Sequence, residues 1–320
     1  MKPFKHINAQ TLDEAVSMDL EHPILIAGGT DILSLLKNGV LSTYPKVLVN
    51  IKTIFGLKYI HEDNEGMAIG ALTSLADIAA SPIVRRTYSV LADAAKSVAS
   101  PQIRNMGTIG GNLCQDTRCW YYRCSPFTGR GYWCLRKGGK GCFAVPGDNR
   151  YHAILGGKGC FAVCPSDTAV ALSALDATLM IQGQAGKRII PVRDFFTTLG
   201  NVLRSHEIVT EIRIPRPPQG AKQTFLKFRL RKALDFAIAS VATVTTIEQG
   251  ICKKARIVLG AVAPIPIRAM QSEASINGQP LDAAKAEEAA LAAVSGATPL
   301  AMNAYKVEIV KALVKRALLD

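Results

Sequence analysis

Along the first 75 residues, apolar positions alternate between helical spacing and short runs of strand length. Thr11-Leu-Asp-Glu14 has the form of a capping box and opens the amphipathic stretch EAVSMDL, which predicts a short helix. Ile24-Leu-Ile-Ala27 is a compact apolar strand stopped by Gly28-Gly29, and after Thr30-Asp31 the pattern ILSLLKNG predicts a helix ending at Gly39. Val47 to Ile51 and Met67 to Ala71 read as strands, and Thr73 to Ala80 and Arg85 to Ser100 as helices. The same rhythm returns late in the chain. Ser166-Asp167 caps the helical pattern TAVALSALDA, and the strand TLMIQGQ turns at Ala185-Gly186-Lys187 into RIIPV. Pro215, Pro217, Pro218 and Gly220 mark a domain boundary. Beyond them lie strand patterns at 223–231, 239–248 and 255–263, then helices at 282–294 and 302–318.

Between these halves the pattern breaks. Seven of the eight cysteines (114, 119, 124, 134, 142, 160, 164) fall within 51 residues, and Gly138-Gly-Lys-Gly-Cys-Phe-Ala-Val145 recurs 18 residues on as Gly156 to Val163. The segment 117–160 holds eight Lys and Arg against one acid, Asp148, and so carries +7 of the chain's net +13. This stretch reads as a specialised insert, spanning 114–165. The rest of the 320 residues is only mildly basic and, at 48% hydrophobic and 20% charged, sufficient for two folded domains. The nearly uncharged apolar run Phe236 to Ile247 is 12 residues, short of the roughly 18 a membrane-spanning helix needs. The N-terminus lacks the apolar core of a secretion signal, so a cytoplasmic location is expected.

Two glycine pairs can approach an anionic ligand: Ala27-Gly28-Gly29-Thr30-Asp31 and Thr108-Ile109-Gly110-Gly111-Asn112. Small residues between strand and helix let backbone N–H groups reach a phosphate, so the pair could clamp a dinucleotide's diphosphate. Tight capped turns explain the same spacing, and no GxGxxG fingerprint is present. Without a secretion signal the cysteines argue against disulfides. With no CxxC among them, spacing leaves a zinc site and an iron–sulfur cluster equally open, beside unligated buried thiols. A cluster on four thiolates is a net anion, which the surrounding cations would offset. His152 is a candidate ligand or a loop hydrogen-bonding residue. Trp120, Tyr121, Tyr122, Tyr132 and Trp133 admit base stacking in a zinc-stapled, basic nucleic-acid module, or packing around a metal centre. Lys227, Arg229 and Arg231 share one strand face, which reads as solvated or as an anion contact.

Taken together, AGGTD at 27–31, TIGGN at 108–112, PSDTAVAL at 165–172 and RKALDFAIASVA at 231–242 resemble the FAD-binding subunit of the molybdenum hydroxylases, the xanthine dehydrogenase family. NLCQDTRCWYYR and NRYHAI resemble its subtype with an extra [4Fe-4S] cluster, found in 4-hydroxybenzoyl-CoA reductases and bacterial aldehyde oxidoreductases. The resemblance implies an α+β fold: a two-subdomain FAD-binding module of vanillyl-alcohol-oxidase type over 1–215, then a smaller α+β flavoprotein domain over 216–320. It places FAD against Ile26, Ala27, Gly28, Gly29, Thr30, Asp31 and Ile32, and against Thr108, Gly110, Gly111 and Asn112. Asp167, Lys227 and Val209 would stand by the cofactor, and Cys114 would be a packed thiol near the flavin. Cys119, Cys134, Cys142 and Cys160 are the implied cluster ligands, with Cys124 and Cys164 as competitors. The implied partners are a large molybdenum-cofactor subunit, a small [2Fe-2S] subunit and a ferredoxin-like carrier, with neither nucleic acid nor membrane. The implied role is an electron relay, with a structural zinc insert as the alternative.

Overall fold

The computed structural model describes residues 1–18, 20, 23–125 and 131–320. Arg130, one of the eight insert cations, lies outside them. Near the N-terminus the parallel strands Lys5–Asn8, Val47–Asn50 and Pro23–Ile26 pair in that order. Their connections are the short helices Leu12–Ser17 and Ile32–Lys37, the first capped by Thr11 Oγ1 as its sequence expects.

The second sheet is antiparallel, ordered Ile60–Glu62, Gly66–Gly70, Ile208–Pro215, Thr178–Gly183 and Gly186–Pro191 among the described residues. Its central strand Ile208–Pro215 arrives from beyond the insert, so the long cysteine-rich excursion starts and ends on one scaffold. The helix Asp167–Ala174 is buried at every position, with Ser166 Oγ accepting from Ala169 N, and packs on the helix Ser89–Ser97 and on the strands Ala239–Glu248 and Ile251–Gly260. A core including Ile69, Leu91, Ile109, Leu172 and Ile212 joins this sheet to the helices Leu75–Ala80, Pro82–Thr87 and Ser89–Ser97. The continuous helix expected over 85–100 is interrupted at Tyr88, and a separate helix, Pro101–Met106, follows with Ser100 as cap and proline in its first turn.

The third sheet, Lys222–Phe228, Ala239–Glu248, Ile251–Gly260 and Ile267–Arg268, is antiparallel and carries the helices Met270–Ile276, Ala283–Ala293 and Tyr305–Leu319. The insert forms little regular structure: Trp120–Arg123, a single 3-10 turn at Leu135–Lys137, and loops. No helix among the described residues is long and apolar enough to cross a membrane.

Candidate functional site

The first glycine pair joins the strand Pro23–Ile26 to the helix Ile32–Lys37. A Cβ on Gly28 would collide with the carbonyl of Met106, and Gly29 sits at φ +71°, where side chains are disfavoured. Leu33 N donates to Gly29 O at 3.3 Å and Ser34 N to Asp31 O at 3.1 Å, which closes the helix behind the turn. Among the described residues the N–H groups of Gly28, Gly29 and Thr30 find no acceptor. These donors line a cavity of about 360 Å³.

The second glycine pair is not an open turn. Thr108 caps the short helix Ile109–Cys114, its Oγ1 accepting from Gly111 N at 3.1 Å. Ile109 N donates to Thr73 O, Gly110 N to Ala71 O and Asn112 N to Thr108 O, all at 2.8–2.9 Å. The amides expected to face a phosphate are thus committed to the fold. Gly110 is glycine for packing, since a Cβ there would lie 2.9 Å from Ala71 Cβ. Asn112 is buried, and its Oδ1 accepts from Ser166 Oγ at 2.7 Å and Thr168 Oγ1 at 2.6 Å, which ties this segment to the buried helix.

The two segments meet where Gly28 packs on Met106 and Gly107. Ala27, Thr108, Gly111 and Cys114 separate the first cavity from a second of about 390 Å³ that Val209 also lines. Asp31 and Ile32 face the first cavity, Gly110 the second, and Ile26 packs into a neighbouring core. Cys114, expected as a packed thiol, is exposed on the shared wall. Lys227 and Asp167 face neither large cavity. They pair at 2.6 Å with 4% and 6% of their side chains exposed, and Lys227 Nζ also donates to Ser97 O. Lys227 is therefore no solvated sheet residue.

The insert is anchored to the first turn. Asp31 accepts from Arg118, from Arg123 at 2.7 Å and from Asp116 N at 2.8 Å. Burial alone would raise the Asp31 pKa, but the two guanidinium groups hold it below the usual carboxylate range. Asp116 accepts from Tyr122 and, at 3.4 Å, from Arg136 Nη1. Charge counting found these arginines, but not their partners: Asp116 lies just before the basic run, and Asp31 comes from the first glycine turn, 87 residues from Arg118.

Within the insert, Trp120, Tyr121, Tyr132, Phe143, Tyr151 and His152 contact one another largely edge-on, at 4.9–6.1 Å between ring centroids. Rings packed against one another leave no row of open faces for base stacking; Trp133, half-exposed, stands apart. His152 Nε2 lies 3.2 Å from Cys119 Sγ, and its buried Nδ1 has no partner among the described residues. Burial, reinforced by Lys306, holds His152 at about 4, so it is neutral. Burial pushes the Cys119 thiol up to about 11, and Cys160 and Cys134 are near enough to add to the rise. Cys134, Cys160 and Cys164 are buried and Cys142 and Cys124 half-buried. Among the described residues no three His, Cys, Asp or Glu side chains are gathered to hold a metal ion. The donor set suits a thiophilic metal, and Cys134 and Cys160 lie near enough to Cys119 to influence it, but ligation would require their deprotonation.

Residues 2–217 match the family described as the FAD binding domain in molybdopterin dehydrogenase, and residues 224–320 the CO dehydrogenase flavoprotein C-terminal domain. The chain belongs to the FAD-binding subunits of the molybdopterin dehydrogenases. It is an oxidoreductase subunit that binds FAD. It is 34% identical to the FAD-binding subunit of an Escherichia coli aldehyde oxidoreductase, over 87% of each chain. It is 30% identical to the carbon monoxide dehydrogenase medium chain of Hydrogenophaga pseudoflava, over 92% of this chain and 87% of that one. A crystal structure of carbon monoxide dehydrogenase from the same organism, lacking the Mo-pyranopterin moiety of its cofactor, superposes with a TM-score of 0.79 at 27% identity, covering 99% and 96% of the two chains.

Proposed function

We propose that this family member is the electron-relay subunit of a cytoplasmic molybdenum hydroxylase complex, holding FAD in the paired cavities and a [4Fe-4S] cluster in the insert. The observation that carries the reading is the anchoring of the cysteine-rich insert to the glycine turn through Asp31, Arg118 and Arg123. That contact brings thiols and nucleotide cleft onto one rigid network.

In this reading the open amides of Gly28, Gly29 and Thr30 receive the diphosphate, supported by Thr108, Gly111 and the neighbouring Ile26, Ile32, Gly110 and Asn112. Val209 offers an apolar wall. The buried Asp167–Lys227 pair fixes the strand Lys222–Phe228 to the helix Asp167–Ala174 beside the cleft. Bound FAD supplies two-electron chemistry that can be divided into single-electron steps. Cys119, Cys134, Cys142 and Cys160 would hold the cluster, which supplies a one-electron port. The aromatic cage about Cys119 excludes water, and neutral His152 stands ready to hydrogen-bond a sulfur there.

The proposed partners are a large molybdenum-cofactor subunit, a small [2Fe-2S] subunit and, at the insert, an acidic ferredoxin-like carrier. Steering of that carrier draws on fewer cations than composition suggests, because Arg118, Arg123, Arg136 and Arg150 are already ion-paired. The test is metal, acid-labile sulfide and flavin analysis of the purified complex. Iron and sulfide in equal amounts bound to this chain, lost on Cys134→Ser, support the relay. Flavin with zinc in place of iron overturns the cluster, and a colourless protein overturns the whole reading.

A further inference from the structure

Arg136 belongs to the insert, yet its side chain lines the same cavity as Gly28, Gly29 and Thr30. It is 8% exposed. Two of its nitrogens are held: Nη1 donates to Leu199 O at 3.1 Å and Nη2 to Thr198 O at 2.9 Å. Among the described residues its buried Nε–H has no acceptor. An orphaned donor on a guanidinium is costly.

The charge balance points the same way. Among the described residues Arg118, Arg123 and Arg136 pair with only Asp31 and Asp116, so this network retains one positive charge beside the cavity. The same cavity is lined by the first glycine turn with its open amides. An anion in the cavity would meet positive charge and free amide donors together.

We infer that Arg136 is a diphosphate-binding residue of the FAD site, contributed by the cysteine-rich insert. The inference rests on the cleft being the FAD site and adds a binding group from outside the glycine turns. It also links two events, because a diphosphate that engages Arg136 must favour the ordered insert.

The full chain, stripped of FAD, is titrated with FAD and with riboflavin, following flavin fluorescence, as wild type and as Arg136→Gln. The FAD Kd should rise about tenfold, the loss of one charged hydrogen bond, while riboflavin, which has no phosphate, binds both proteins equally. Equal FAD affinity in the two proteins, or a parallel loss for riboflavin, overturns the inference while leaving the cleft reading intact. A wild-type chain that takes up no FAD removes the cleft reading and the inference with it. If Arg136→Gln does not fold, the wild-type chain decides: inorganic pyrophosphate should compete with FAD and slow trypsin cleavage within the insert. An unchanged cleavage rate overturns the proposal.

Discussion

Gly28-Gly29 and Gly110-Gly111 look alike in sequence, each flanked by threonine and by Asp or Asn, and Gly28, Gly29 and Gly111 line one cavity in the folded chain. Their backbone amides have opposite fates. At the first pair the N–H groups open onto a cavity; at the second they are bound by Ala71 O and Thr108 Oγ1. A glycine pair therefore signals close backbone approach, and only the bookkeeping of its hydrogen bonds tells whether a ligand or another strand is what approaches.

The comparison breaks most visibly at Asp31, which joins the open turn to the insert. Asp31→Ala leaves Arg118 and Arg123 largely buried and uncompensated, and should cost about 3 kcal/mol in urea unfolding followed by tryptophan fluorescence. A change too small to resolve would show that the insert does not lean on the first turn. Gly110→Ala should cost about 2 kcal/mol through overpacking against Ala71. Weakened FAD binding at an unshifted midpoint would make the second pair a ligand site as well. Thr108→Ala, which removes the cap, should cost about 1 kcal/mol.

Acid titration gives the smallest and most selective contrast. The depressed folded pKa of Asp31 contributes stability that is present above its unfolded value, near 3.9, and is lost as pH falls through the folded one. Stability of Asp31→Asn should therefore fall less steeply than wild type below pH 4, whereas Thr108→Ala should keep the wild-type slope. Matching slopes for all three proteins would remove Asp31 as the acid-sensitive link.

The legible parts of this molecule were those set by local pattern. The strand before Gly28, the helix to Lys37, the Ser166 cap and the two closing helices follow from spacing and capping. Ser100-Pro101 was a readable helix start that the apolar run from Arg85 obscured. Thr108 lacked a Glu or Gln three residues on, and two glycines lowered the helical signal, so a capped helix looked like a turn. The site itself was legible as a set of glycines and cysteines but not as a network. Asp31 meets Arg118 across 87 residues and Lys227 meets Asp167 across 60, and no local periodicity encodes such pairings. Lys227 was read with its strand neighbours as a face, while its role is set by a carboxylate from another domain's helix.

The helix Tyr305–Leu319 closes over the insert's far end. Lys306 is fully buried and donates to the carbonyls of Ala261 at 2.7 Å, His152 at 3.0 Å and Tyr151 at 3.4 Å, and Asn303 Nδ2 donates to His152 O and Ala153 O. During synthesis on the ribosome the carbonyls of Tyr151, His152 and Ala153 wait for donors encoded about 150 residues downstream. The loop that carries them thus takes its final form only once Asn303 and Lys306 have emerged.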